Sequence, residues 1–284
     1  MSALRWVRTN LVLILGLLVL AYTFVPIAIV ILMSFNEPDS RLIYKFDGFT
    51  LDNWLNPCAD PGMCEAVARS IEIGLLTTVV ATILGTLMAF ALVRYEFSGR
   101  SSTNLLIFLP MATPEIVMGS SLLALFVAAG FGGALGFGTI LIAHIMFCIS
   151  FVVVTVRARL AGMSDTLEQA AADLYATPSQ TFWRVTFPLV FPGILGAALL
   201  AFSLSFDDFI VTNLNAGTTT TFPLYVWGVA QRGVPMQVNV VGTLMFVISI
   251  AIVLGGEARS RARTRALREP AAMDMPPPVT APRS

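Results

Sequence analysis

The sequence predicts an all-α, polytopic membrane protein with six transmembrane helices, and three observations predict it. Hydrophobic residues fill 56% of the 284 positions and charged residues only 12%, and the mean hydropathy is +0.81; soluble domains do not have this balance. The apolar residues are gathered into long runs, several of them near the ~20 residues with which a helix crosses a bilayer. The basic residues fall between those runs and are shared unequally between the two sides. With 17 basic and 17 acidic residues, the formal net charge is zero, which leaves no basic surface for nucleic acid.

Residues 1–10 carry Arg5 and Arg8 ahead of the first run, Leu11 to Met33. That run is too long for the core of a signal peptide and no small-x-small site follows it, so it reads as a retained first span. Pro26 should kink it. Residues 34–70 are polar and aperiodic, with one short helix expected near Leu51 to Leu55. Cys58 and Cys64 bracket Ala-Asp-Pro-Gly-Met, a turn sequence. In the cytosol such a pair stays reduced or suggests a metal; outside, it closes a small disulfide loop. Cys148 lies in a later run and reads as a small buried hydrophobe.

The second span is Ile71 to Val93, where Thr77, Thr78, Thr82, Gly85 and Thr86 suit close helix packing. The third, Asn104 to Ala129, is interrupted by Pro110 and by Pro114, which Glu115 follows directly. A Gly-rich turn at Gly130-Phe131-Gly132-Gly133 leads to the fourth, Phe137 to Val156, which holds the single histidine, His144. The fifth, Gly193 to Val211, carries Asp207 and Asp208 near its far end. The sixth, Val238 to Leu254, completes a six-span domain over 11–256. Residues 257–284, Arg-rich and then Pro-rich, read as a disordered tail.

Loop charges orient the chain. With both termini cytoplasmic, thirteen of the seventeen Lys and Arg residues lie on the cytoplasmic side. Arg41, Lys45, Arg69 and Arg232 lie opposite. This places residues 157–188 in the cytoplasm and Cys58 and Cys64 outside.

Residues 157–188 are helical in pattern and polar. Asp165 and Glu168 fit a D-x-x-E capping box. Leu167, Ala170, Ala171 and Leu174 then recur at helical spacing as one apolar stripe. A second start follows, with Thr177 as N-cap, Pro178 at the first helical position and Gln180 three on from the cap. The plainest reading is an amphipathic loop resting on the membrane surface. A sharper one is a docking element. The segment Leu167-Glu168-Gln169-Ala170-Ala171-Ala172-Asp173-Leu174-Tyr175-Ala176, followed by Phe187-Pro188, resembles the EAA loop of ABC-importer permeases. The resemblance implies a cytoplasmic coupling helix on which an ATPase subunit docks, through Glu168, Gln169, Ala170, Ala171, Asp173, Leu174 and Ala176. Two positions depart from the family pattern: Gln169 stands where it has Glu, and Tyr175 where it has the turn Gly.

No Walker A loop is present, so ATP would be hydrolysed elsewhere. Neither HExxH nor GxSxG occurs, and no catalytic or metal-binding constellation stands out. The chain therefore reads as a non-enzyme. Its chemical features are the acids inside spans, which are expensive in a bilayer and face a cavity or a partner. Asp207, Asp208 and Glu115 have no basic residue in their own spans. Together with the rings of Phe206, Tyr225 and Trp227 they would suit a cationic substrate path, with Asp208 favoured over Asp207. The structural alternatives are a hydrated helix cap for the Asp pair, backbone satisfaction after the proline for Glu115, and a buried hydrogen bond for His144.

Further segments narrow the resemblance: Pro114-Glu115-Ile116-Val117-Met118-Gly119, His144-Ile145-Met146-Phe147-Cys148, Ser205-Phe206-Asp207-Asp208-Phe209 and Gly233-Val234-Pro235. They are similar to the second permease of spermidine/putrescine transporters, a branch of the binding-protein-dependent type I ABC importers. The resemblance implies a plasma (inner) membrane subunit that works by alternating access. Its implied partners are two copies of an ATPase carrying ATP and Mg, a homologous permease and an extracytoplasmic substrate-binding protein. No cofactor is expected on this chain itself. The other readings are a permease for another solute such as ferric iron, and an ion-coupled secondary transporter.

Overall fold

In the computed structural model the chain is described over residues 10–40, 45–164 and 166–273. Its helices are α1 (Leu11–Met33), α2 (Asp52–Leu55), α3 (Pro61–Arg94), α4 (Arg100–Ala112), α5 (Glu115–Ala128) and α6 (Phe137–Ala161). They continue with α7 (Thr166–Asp173), α8 (Pro178–Thr181), a π-helical turn (Phe182–Thr186), α9 (Phe187–Phe206), α10 (Ile210–Asn215), α11 (Phe222–Ala230) and α12 (Met236–Met273). Among the described residues, extended pairing is limited to one bridge, Asn36 with Phe49. Among the described residues five helical stretches are long and apolar enough to span a membrane, and α4 with α5, bent by 110°, supplies a sixth if the pair is one span. The chain is thus an all-α, multi-pass membrane protein.

The break between α4 and α5 has a local cause. Thr113 is extended, with ψ 131°, the conformation that a following proline imposes. Pro110 stays inside α4, so only the second of the two prolines interrupts the helix.

The chain divides into two units, residues 60–232 and residues 1–59 with 233–284. In the first, α6 is the central helix and packs against both α3 and α9. Ile140, Ala143, Val152, Val153 and Val156 on α6 are buried. A Cβ on Gly85 of α3 would lie 2.6 Å from Val152 Cγ1, so the missing side chain is what lets α3 and α6 approach. Helix α3 begins at Pro61, not at Ile71, which shortens the preceding segment to residues 34–60. Asp60 accepts the Gly62 N–H at 3.0 Å, and Pro61 occupies the first turn, a helix start that hydropathy does not register.

In the second unit α1 lies along α12, with Phe24 edge-on to Phe246 at 6.4 Å. The segment between α1 and α2 is organised by buried Asn36. Its Nδ2 donates to the Lys45 carbonyl at 2.8 Å and its Oδ1 accepts the Asp47 N–H at 2.9 Å. Asn53 Nδ2 donates to the Asn36 carbonyl at 2.8 Å, and Phe35 stacks on both Phe49 and Trp54. The hydrogen bond from Lys45 holds the Asp47 carboxyl below its usual range. Helix α12 runs on to Met273, into the segment that the sequence reads as a tail. Ala258, Ala262, Ala266 and Leu267 are strong helix formers, and extending a helix needs no new nucleus. Residues 274–284 lie outside the described residues. Cys58 and Cys64 are disulfide-bonded, and Cys148 is free and buried.

Candidate functional site

The loop from Ala161 to Phe187 forms the two short helices that its caps predict. Thr177 Oγ1 accepts the Gln180 N–H and Gln180 Oε1 accepts the Thr177 N–H at 2.9 Å, a complete capping box with Pro178 behind it. Asp165, the other predicted cap, lies outside the described residues. Glu168 does something else: its Oε1 receives Arg94 Nη2 at 2.6 Å and Thr186 Oγ1 at 2.7 Å. The carboxylate therefore turns inward, toward the end of α3, whereas Gln169, Ala170, Asp173 and Leu174 are exposed.

The apolar stripe points the other way. Leu167 is 47% exposed and Leu174 82%; Gln169, Ala170 and Asp173 are exposed as well, while Ala171 and Ala176 are half-buried. Large apolar side chains left uncovered on an eight-residue helix mark a surface for a partner or a membrane. The helix closes on a Schellman motif: Tyr175 N–H bonds to the Ala172 carbonyl at 2.9 Å and Ala176 N–H to the Ala171 carbonyl at 3.0 Å. Tyr175 stands at the left-handed position with φ 59°, where glycine is the usual residue. It keeps the turn that a glycine would make, at the expense of strain.

The second candidate region is the break between α9 and α10, where Asp207, Asp208 and Phe209 leave the helix. Here the two acids part. Asp208 Oδ2 accepts the Thr212 N–H at 2.7 Å and the Thr212 hydroxyl at 2.8 Å, and lies 3.3 Å from His144 Nε2 with its side chain only 5% exposed. His144, itself buried, also reaches Thr212 Oγ1 at 2.9 Å and, through Nδ1, Ser205 Oγ at 2.8 Å. Because the Thr212 hydroxyl proton is committed to Asp208, Nε2 is the donor to both. This network joins α6, α9 and α10. Asp208, the acid that the sequence reading favoured for the substrate path, is thus withdrawn from solvent and held within this network. Asp207 is exposed, and among the described residues no ion pair forms at its carboxylate.

Helix α10 is held by a second close approach. A Cβ on Gly119 of α5 would lie 2.9 Å from Leu214 Cδ1 and 3.2 Å from Val211 Cα. Asn215 Nδ2 donates to the Gly119 carbonyl at 3.2 Å, and Thr139 Oγ1 to the Asn215 carbonyl at 2.7 Å. The break is therefore a built feature, clamped between α5 and α6.

The predicted aromatic residues do not form one cluster with the acids. Phe206 packs with Phe202 and Phe222, and Trp227, 58% exposed, with Phe209 at 5.1 Å. Tyr225 lines a cavity of about 550 Å³ with Glu65, Arg69 and Phe137, which neither Asp207 nor Trp227 lines. Glu115 is exposed in the first turn of α5. Arg94, Thr186, Ser205 and Thr212 were missed by sequence reasoning. Arg94, Thr186 and Ser205 lie far from their partners along the chain, and Thr212, four residues from Asp208, lies far from His144.

The profile of the family described as binding-protein-dependent transport system inner membrane component matches residues 81–257. The spermidine/putrescine transport system permease protein PotC of Haemophilus influenzae is 35% identical over 237 residues, 83% of this chain and 91% of that protein. The putrescine transport system permease protein PotI of Escherichia coli is 32% identical over 276 residues, 95% of this chain and 98% of that protein. Among solved structures, a bacterial ABC transporter involved in import of the acidic polysaccharide alginate matches with a TM-score of 0.61 at 18% identity, covering 92% of this chain and 98% of that one. At that identity the likeness speaks for the fold alone. The profile takes in α4 to α11 whole, with the loop of residues 157–188 and the helix break, and on that match the chain belongs to the family of binding-protein-dependent transport system inner membrane components.

Proposed function

We propose that this chain is the membrane-spanning permease subunit of an ATP-driven importer that carries polyamines such as spermidine and putrescine inward by alternating access. The observation that carries the reading is the uncovered stripe of Leu167, Ala170 and Leu174 on α7, in a family whose members depend on a binding protein. An ATPase subunit, present in two copies and carrying ATP and Mg, would cover that stripe. A homologous permease would complete the path, and an extracytoplasmic binding protein would deliver the substrate. Both termini would be cytoplasmic. The substrate class is supported by the names of the relatives and by Asp207, an exposed acid that adjoins Phe206 in the chain and precedes Phe209 by two residues. An acid and aromatic faces together are the chemistry that holds alkylammonium groups.

Closure of the ATPase dimer would displace α7 and shift the equilibrium between inward- and outward-open states. The test is reconstitution in liposomes with the ATPase, the partner permease and the binding protein. The expected result is spermidine and putrescine uptake that requires ATP and all components. Uptake of ferric iron in place of polyamines would overturn the substrate, and uptake driven by an ion gradient without the ATPase would overturn the importer.

A further inference from the structure

We propose that Arg94 and Thr186 are positioning residues that turn Glu168 into an internal latch, through which movement of α7 passes directly to the end of α3. This rests on the importer reading above and adds to it a route of coupling. Along the chain, α7 is joined to the membrane bundle only by α6 before it and by α8 and α9 after it. The latch supplies a third connection. One carboxylate oxygen accepts two donors, Arg94 Nη2 at 2.6 Å and Thr186 Oγ1 at 2.7 Å. Arg94 is the last residue of α3, and Thr186, buried, is the last of the π-helical turn. Three elements therefore meet at a single oxygen.

The surroundings make the latch discrete. Beside it lies a groove of about 420 Å³ lined by Phe90, Tyr95, Ala172 and Phe182, so side chains do not fill the space between α7 and the end of α3. Across that space the ion pair is a direct contact. The Glu168 and Arg94 side chains are 22% and 30% exposed, which leaves the pair partly shielded from water and shortens the reach of competing ions. A charge-assisted pair of this kind is either made or broken. When α7 moves it carries Arg94, and α3 with it, or the latch opens. Since α3 packs on α6 and α9, a pull at Arg94 reaches the centre of the bundle. Glu168 then does not serve as a contact for the ATPase; the exposed stripe does.

The experiment uses the assembled importer in liposomes with Arg94→Ala, Arg94→Glu, Glu168→Arg, the double swap Arg94→Glu with Glu168→Arg, and the pair Thr186→Val and Thr186→Ser. It reads ATPase co-purification and the ratio of ATPase activity with substrate-loaded binding protein to activity without it. The single charge variants should retain the ATPase and lose roughly 5- to 10-fold of that ratio, within the range of ordinary coupling between sites. The double swap should recover most of it, which a merely structural role would not predict. Undiminished stimulation in the single variants, or a swap no better than either, overturns the latch. If the charge variants do not assemble, the Thr186 pair decides: Ser keeps the donor and the stimulation, Val loses both, and equal stimulation in the two overturns it. Failure of the importer reading is distinguishable, because the wild-type chain would then retain no ATPase at all.

Discussion

His144 Nε2 lies 3.3 Å from Asp208 Oδ2 inside the helix bundle, with both side chains almost wholly withdrawn from solvent. The pair closes the break between α9 and α10, and Thr212 and Ser205 complete it. Removing one partner of such a pair leaves the other buried without compensation. Asp208→Ala should therefore destabilise the protein by about 3 kcal/mol. Asp208→Asn keeps an acceptor for Thr212 and should cost clearly less. Thermal denaturation followed by size exclusion in detergent checks both. Transport per assembled complex should fall alike for spermidine and putrescine; a selective loss for one of them would return Asp208 to the substrate path.

Asp207 is expected to behave in the opposite way. Asp207 is exposed at the helix break, next to Phe206 in the chain, and forms no ion pair among the described residues. Asp207→Asn should leave assembly and melting temperature unchanged and lower uptake, most for the substrate with more ammonium groups, since more of its charge is attracted by the carboxylate. Initial rates for spermidine and putrescine measured side by side decide it. Equal rates for mutant and wild type would remove the cation path.

Tyr175 carries a left-handed φ of 59° while its ring is 96% exposed, so no packing offsets the strain. Left-handed backbone costs an L-residue about 1–2 kcal/mol, part of which glycine returns through unfolded-state entropy. Tyr175→Gly should strengthen the end of α7 by up to about 1 kcal/mol. Tyr175→Val should weaken it, because branching at Cβ makes this region worse. Hydrogen–deuterium exchange at the amides of residues 175 and 176 reads the effect directly.

The bond at Cys58 and Cys64 predicts a labelling pattern. In native, non-reduced protein a membrane-impermeant maleimide should modify neither of them, and Cys148 is protected by burial. Mild reduction should expose two thiols. Five residues separate the cysteines, and so short a loop restricts little unfolded-chain freedom, so reduction should hardly alter global stability. Labelling before reduction would show the pair to be open.

The long hydrophobic elements were legible without any structure. Helix α1 occupies Leu11–Met33, the apolar run itself, because a bilayer selects length and hydropathy residue by residue. The Thr177 cap was equally legible, since its donors and acceptors lie within four residues of one another. The start of α3 was not. Pro61 to Ser70 is polar enough to read as loop, and only the Asp60 cap and the burial of Met63 and Ala66 make it helix.

What the sequence by itself determined about this protein was its class, its long apolar runs, the place of the polar loop between them and which acids lie within or beside apolar segments. These properties depend on composition and on neighbours a few residues apart. What only the tertiary structure decided was the use of each acid. Asp207 and Asp208 are identical in chemistry and adjacent in the chain, yet one faces outward and the other closes on His144, 64 positions earlier. Glu168 faces Arg94, 74 positions earlier, and so leaves the surface on which its neighbours stand. Rotation about a helix axis and contact between distant segments set these roles, and the energy that sets them comes from partners no local window contains.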